Sequence, residues 1–303
     1  MKIGLCGTGR MGTAMAEHLM EKKHRLTVWN RTPSKTRTLV TAGADRVDTP
    51  AEVFDHADLV ISMLIDDKAA KAVYEGRDGI LSRNLKGKFV IEMSTMMPKT
   101  TQRLEKLVEA KGGAFLECPV GGSTAPARTG NLIGMAGGTP TAYKRAQPVL
   151  EQLCKRVDRV GPVGAGATMK LAINLPLLTY WEALGEAIAL IEKAGINRKL
   201  AGDILADSSG AARVAALRIP WNMAAIGGNV RKGGGFDVAG GAKDATQMCK
   251  LAAQYGFDAP AINATRRSYQ AAVADGWGER DFALLPAWRV AQSKKCKPRK
   301  KGR

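Results

Sequence analysis

The chain has 303 residues, long enough for two domains, and at 45% hydrophobic and 24% charged its composition is that of an ordinary globular protein. No apolar run reaches the ~18–20 residues of a membrane-spanning helix, which excludes a helical membrane protein. The formal charge of +18 favours anionic partners such as nucleotides, carboxylates and nucleic acid; seven of those charges fall in residues 294–303, and without them the balance is +11.

The chain starts directly on an apolar strand pattern, Ile3–Cys6, so no leader segment is expected. Gly7-Thr8-Gly9-Arg10-Met11-Gly12 follows, and then a helical pattern with Met11, Met15, Leu19 and Met20 on one side. Strand, glycine turn and helix in this order suit a bound dinucleotide. Gly7 permits the tight turn, Gly9 lets backbone approach a pyrophosphate, and Gly12 allows the helix to pack closely on the strand. The N–H groups and partial positive charge of the helix N-terminus then face the phosphates.

Leu26–Trp29 reads as the second strand, whose end commonly carries an acid that accepts hydrogen bonds from the ribose hydroxyls. Here the residues are Asn30-Arg31-Thr32, with Lys35 close by. No carboxylate repels a 2′-phosphate, and the planar fork of Arg31 suits one, so NADP(H) is favoured while NAD(H) stays possible.

Further strands are expected at Leu59–Met63, Lys88–Glu92, Ala114–Glu117 and Leu132–Ala136, with a helix opening near Asp66-Asp67 and another over Lys99–Lys111. Short apolar strands alternating with helices predict a parallel, doubly wound α/β sheet of Rossmann type, in which ligands lie beyond the carboxyl ends of the strands. Met63, Leu64, Ser94 and Thr95 occupy those ends and are expected to line the nicotinamide half of the cofactor. A second glycine turn, Gly121-Gly122-Ser123, offers backbone N–H groups and a hydroxyl to a substrate carboxylate; as a motif by itself it could equally be a plain tight turn.

From residue 164 the pattern changes to long helices, which sets the domain boundary: a cofactor domain over 1–163, an all-α substrate and oligomerisation domain over 164–293, and a basic tail over 294–303. Ala167–Lys193 is a long helix joining the two, and Pro176 is expected to bend it. Lys170 and Asn174, four residues apart, share a face near its start. A lysine there opposes the helix dipole, which marks it as a placed functional group. The histidines, His18, His24 and His56, all belong to helices of the cofactor domain or their ends, away from the expected cleft, so the proton donor and acceptor is sought among the lysines. Lys243, at a helix start after a glycine-rich stretch from Gly227, supplies a second cation that could lower the pKa of Lys170 or hold a substrate carboxylate. The cysteines Cys6, Cys118, Cys154, Cys249 and Cys296 show no metal-ligand spacing and read as reduced thiols of a cytoplasmic protein, with no metal site. The tail is expected to be a disordered, solvated end; it has no aromatic residue to stack on bases, which disfavours nucleic acid as a partner.

Taken together, GTGRMG at 7–12, CPVGGSTAPARTG at 118–130, GAGATMKLAIN at 164–174 and the Lys243-Asp244 pair resemble the β-hydroxyacid dehydrogenases of the 3-hydroxyisobutyrate dehydrogenase type. These are related to 6-phosphogluconate dehydrogenase and the glyoxylate/succinic semialdehyde reductases, and the resemblance covers about residues 1–290. It implies hydride transfer between NADP(H) and a small carboxylate, with Lys170 as general acid/base, Asn174 as its orienting and substrate partner, and Lys243 touching substrate and cofactor. It also implies a homodimer or homotetramer. Asn30-Arg31-Thr32 is similar to the NADPH-using reductases of the group. Where the family usually reads Pro-Val-Ser-Gly-Gly, this chain has Pro119-Val120-Gly121-Gly122-Ser123, and Leu175-Pro176 follow Asn174 where a second Asn is frequent. Two other readings share parts of this pattern. One is an imine reductase, a group that usually carries Asp or Tyr at the position of Lys170; the other is a noncatalytic NADP-sensing or nucleic-acid-binding protein using the tail.

Overall fold

Successive side chains of a strand point to opposite faces, and in this chain both faces are apolar, so the sheet is buried on both sides. Ile3, Leu5, Leu26, Val28, Ile61, Ile91 and Leu116 pack in one core. Their strand neighbours Cys6, Val60, Val90 and Phe115 pack in the other. The computed structural model describes residues 1–208, 217–230, 235–256 and 258–295. It divides into two compact units, Met1–Ala172 and a second beginning at Ile173.

The first unit contains the strands β1 (Lys2–Cys6), β2 (Arg25–Trp29), β3 (Asp45–Arg46), β4 (Leu59–Ser62), β5 (Phe89–Glu92), β6 (Ala114–Glu117), β7 (Val120–Gly121), β8 (Leu132–Gly137) and β9 (Cys154–Gly161). Their order is β3-β2-β1-β4-β5-β6-β8-β7, with β9 paired to β8. The first six run parallel. Ligands bind in such a sheet where the winding reverses, here between β1 and β4. The doubly wound parallel sheet expected from sequence is extended at this far edge, where β8 runs antiparallel to β6 and β7. Strand β9 carries charges along an edge that is largely exposed, and so lacks the apolar run by which the others were legible.

The helices of this unit are α1 (Arg10–Glu21), α2 (Arg37–Thr41), α3 (Val53–His56), α4 (Asp67–Glu75), α5 (Pro98–Ala110), α6 (Thr124–Arg128) and α7 (Pro140–Leu153). Helix α1 buries Gly12, Met15, Ala16 and Leu19, a stripe at helical spacing. Its approach to β1 is set by Gly12, where a Cβ would lie 1.9 Å from the Gly7 carbonyl oxygen.

Helix α8 (Ala165–Lys193) begins in the first unit and continues into the second. It runs on through Pro176, whose ring leaves the Ala172 carbonyl without its usual helical donor. The division into compact units falls beside that carbonyl. The second unit adds α9 (Arg198–Asp207), α10 (Ile219–Ile226), α11 (Val238–Gln254), α12 (Pro260–Ala272) and α13 (Leu285–Lys295). Its core is organised by the fully buried Trp181, edge-on to Phe282 with ring centroids 5.9 Å apart. Asn222, also fully buried, donates to the Ala283 carbonyl at 2.7 Å and accepts from the Ala287 N–H at 3.1 Å, joining α10 to the start of α13. Helix α13 extends through Lys295, so the stretch read as a tail from 294 begins inside a helix. Residues 296–303, including Cys296, and residues 231–234 of the glycine-rich stretch lie outside the described residues. Among the described residues no helix is long and apolar enough to cross a membrane.

Because backbone, not a flexible side chain, fills the space at Gly12, Gly12→Ala should destabilise the protein by about 1–3 kcal/mol, the usual range for overpacking. Urea unfolding of the purified variant checks this.

Candidate active site

Gly7 sits at φ +105°, and a side chain there would meet the Met63 carbonyl oxygen at 2.3 Å. At Gly9 the situation is the reverse, since a Cβ would have no neighbour within 4 Å. Nothing in the protein itself therefore demands glycine at 9, and the turn opens onto space that a closely approaching ligand can enter. Helix α1 has no side-chain cap and no acid in its first turn, so its N-terminal dipole is left for an anion. A dinucleotide pyrophosphate fits this cradle.

The strand ends on either side hold the turn in shape. Asn30 accepts from the Thr8 N–H at 3.1 Å and donates to the Thr32 carbonyl at 3.0 Å, while the Thr8 hydroxyl donates to the Lys35 carbonyl at 3.2 Å. Asn30 is thus occupied in latching the two loops together, a role its sequence position did not reveal. Arg10, Arg31, Thr32 and Lys35 are exposed around this latch, and Met11 is half-buried.

Met63, Leu64 and Thr95 are half-buried at the strand ends. Ser94 is buried, and its hydroxyl accepts from the Leu64 N–H at 2.6 Å, so it braces the neighbouring loop. Beneath it lies Glu92, fully buried at the end of β5, which was not singled out from sequence. Its carboxylate accepts from Ser62 Oγ at 2.5 Å, Tyr74 OH at 2.9 Å and the Ser94 N–H at 2.8 Å. Burial pushes this carboxyl above the usual carboxylate range, partly opposed by those donors. Two apolar strands ending in Glu, at 92 and 117, were the available signal, because an acid is rarely buried without partners.

In the second glycine turn, Gly121 pairs with Ile133 as part of β7. Gly122 has φ +125°, and a side chain there would press on Leu132. Ser123 precedes α6 without capping it through its side chain. The hydroxyl displaced to 123 relative to the family pattern therefore has no capping duty.

Helix α8 begins two residues earlier than its composition suggested, and Lys170 falls in its second turn, where the dipole is weaker. The cost at Lys170 is instead one of burial, the residue being only 8% exposed. One turn further on, Asn174 in the second unit is 7% exposed and donates from Nδ2 to Asp244 Oδ2 at 2.8 Å. Asp244, itself 1% exposed, also pairs through Oδ1 with Lys243 Nζ at 2.7 Å. Lys243 is in the second turn of α11, whose start is capped by Asp237. Asp244 thus brings together two of the expected site residues. Among the described residues no group of His, Cys, Asp or Glu is disposed to hold a metal ion. His18 serves structure, its ring nitrogens lying 2.9 and 3.0 Å from the carbonyls of Arg128 and Gln152.

Two family models match the chain. The NAD binding domain of 6-phosphogluconate dehydrogenase covers residues 2–161, and the NAD-binding domain of NADP-dependent 3-hydroxyisobutyrate dehydrogenase covers 164–287. Glyoxylate/succinic semialdehyde reductase 1 of Arabidopsis thaliana is 38% identical over 205 residues, 68% of this chain and 71% of its own length. A solved 3-hydroxyisobutyrate dehydrogenase of Mycobacterium tuberculosis, with L-serine, superimposes with TM-score 0.80 at 25% identity, covering 94% of this chain and 97% of that one. An imine reductase of Streptomyces aurantiacus shares the fold at TM-score 0.60 and 23% identity, over 94% and 98% of the two chains.

Because a methyl group at residue 9 meets no protein atom, Gly9→Ala should leave the melting temperature unchanged while raising the NADPH dissociation constant about tenfold or more. Fluorescence titration against thermal unfolding separates the two effects; a stability loss without an affinity loss would contradict the cradle.

Proposed function

The chain belongs to the β-hydroxyacid dehydrogenase family and is an NAD(P)-dependent hydroxyacid dehydrogenase, and we propose that it uses NADP(H) to interconvert a small 3-hydroxy carboxylate and its semialdehyde or keto acid. The observation that carries this reading is the buried Lys170 at the start of a helix, in the same compact unit as the glycine cradle. Lysine is rarely so withdrawn from water, and hydride chemistry at a C–O bond needs one proton donor and acceptor, a role that accounts for its place.

Gly7, Thr8, Gly9, Arg10, Met11 and Gly12 would hold the pyrophosphate, with the exposed Arg31, Thr32 and Lys35 gripping the 2′-phosphate and Met63, Leu64 and Thr95 flanking the nicotinamide. The cofactor supplies or accepts the hydride when bound. Lys170 in its ammonium form gives its proton to the carbonyl oxygen during reduction; in oxidation, the free amine takes the hydroxyl proton. Asn174, held by Asp244, orients the reacting oxygen. Gly121 and Gly122 offer backbone N–H groups, and Ser123 a hydroxyl, to the substrate carboxylate. Lys243, directed by its 2.7 Å pairing with Asp244, adds an anion-binding ammonium for substrate or cofactor. The absence of an acid at Asn30-Arg31-Thr32 supports NADP(H) over NAD(H). The shift of the loop hydroxyl from 121 to 123 keeps the substrate preferences of the relatives from carrying over.

Lys170→Ala should lower kcat by about 10²–10⁴-fold, the usual share of general acid–base catalysis, with the NADPH dissociation constant nearly unchanged. The assay is NADPH oxidation with glyoxylate, succinic semialdehyde, tartronate semialdehyde and methylmalonate semialdehyde, and undiminished turnover in the variant would refute the role. Arg31→Ala should weaken NADPH about tenfold or more, the order of one lost charge-assisted contact, and leave NADH nearly untouched. Equal losses for the two cofactors would rule out a 2′-phosphate contact.

A further inference from the structure

Glu117 ends β6 and immediately precedes the substrate loop that starts at Cys118. It is fully buried, and its Oε1 accepts three backbone N–H groups from the beginning of α8: Gly164 at 2.7 Å, Gly166 at 2.7 Å and Ala167 at 3.3 Å. Those are donors that a helix start cannot satisfy within itself. A carboxylate reaching them from a strand 47 residues earlier is a cap supplied by tertiary structure. The surrounding glycines are shaped to it. A Cβ at Gly137 would lie 2.3 Å from Oε1, one at Gly166 would lie 2.4 Å from the Met135 carbonyl oxygen, and Gly164 adopts φ +101°. The helix start is therefore pressed against β8 and held there by one side chain. Burial raises the pKa of this carboxyl, with Thr101 and the three N–H groups opposing the shift.

We propose that Glu117 is a positioning residue for the reaction, fixing the height and rotation of α8 on the sheet and with them the place of Lys170 relative to the substrate loop. The inference rests on the reading of Lys170 as general acid/base. Lys170 lies only three residues beyond Ala167, so a first turn that slips or frays carries the amine with it. The reach of the side chain does this work, since one oxygen takes all three bonds and burial disfavours the charge. A neutral side chain of equal length should serve; a charged one that is a methylene shorter should not.

The test compares Glu117→Gln, Glu117→Asp, Glu117→Ala, Gly166→Ala and Lys170→Ala in the full chain, with the aldehyde on which the wild type is most active. Glu117→Ala and Glu117→Asp should lose about a hundredfold in kcat, the order expected for a reacting group misplaced by about 1 Å. Glu117→Gln should stay within about threefold of wild type, and the NADPH dissociation constant should remain within about twofold throughout, because the cofactor turn is built on other strands. Gly166→Ala, whose Cβ would lie 2.4 Å from the Met135 carbonyl oxygen and 3.0 Å from Glu117 Oε1, lifts the helix while leaving the glutamate in the chain; it should reproduce the kcat loss and stands in for Glu117→Ala if that variant does not fold. Amide hydrogen exchange over residues 164–168 should accelerate in Glu117→Ala and Glu117→Asp but not in Glu117→Gln. Wild-type kcat in Glu117→Asp or Gly166→Ala, equal losses in Glu117→Gln and Glu117→Asp, or unchanged exchange would overturn the proposal while an inactive Lys170→Ala leaves the parent reading standing. An active Lys170→Ala would remove that reading, and this role with it.

Discussion

The first helix lies so close to the strand before it that no side chain can stand between them at residue 12. Gly12 rests on the carbonyl of Gly7, and Gly7 in turn rests against the carbonyl of Met63 at the end of the adjoining strand. These two contacts involve backbone, which cannot rotate away, so the helix start has one height above the sheet. The space in front of Gly9 follows from that height, and the latch through Asn30 and Thr8 keeps the two loops from closing over it.

A second constraint concerns buried acids. The strand-end residues Ser62, Glu92 and Glu117 are neighbours in register across β4, β5 and β6. The two glutamates have different partners. Glu92 gathers donors from Ser62, Tyr74 and the backbone of Ser94, whereas Glu117 gathers the first backbone N–H groups of α8. A buried carboxyl without partners costs several kcal/mol, on the order of the whole stability of a domain. Each glutamate therefore ties its loop or helix to one arrangement. The carboxyl edge of the sheet is stiffened where ligands of such folds bind.

In the second unit the same logic operates around Asp244. It takes one hydrogen bond from Asn174 and one ion pair from Lys243, so two polar side chains on different helices share a single buried anchor. The pairing gives the Lys243 ammonium a fixed direction, as recognition of an anion requires.

Much of this is legible in the sequence. Apolar strands such as Ile3–Cys6 and Leu59–Ser62 announce themselves because both faces are buried, and the glycine turn is a local motif whose geometry follows from its own residues. The family, the α/β sheet followed by helices, and the identity of Lys170, Asn174 and Lys243 as residues of interest were all accessible to pattern. What sequence could not supply was pairing across long separations. Strand β9 is polar and joins the sheet only because β8 offers it an edge. Helix α8 starts before its apolar pattern does, because Glu117, far back in the chain, caps it. Ser94 faces Leu64 and Asp244 joins Asn174 to Lys243 for the same reason. Local residue types decide which elements form; the partners of buried polar groups are decided only when folding brings distant segments together and leaves each such group a single way to be satisfied.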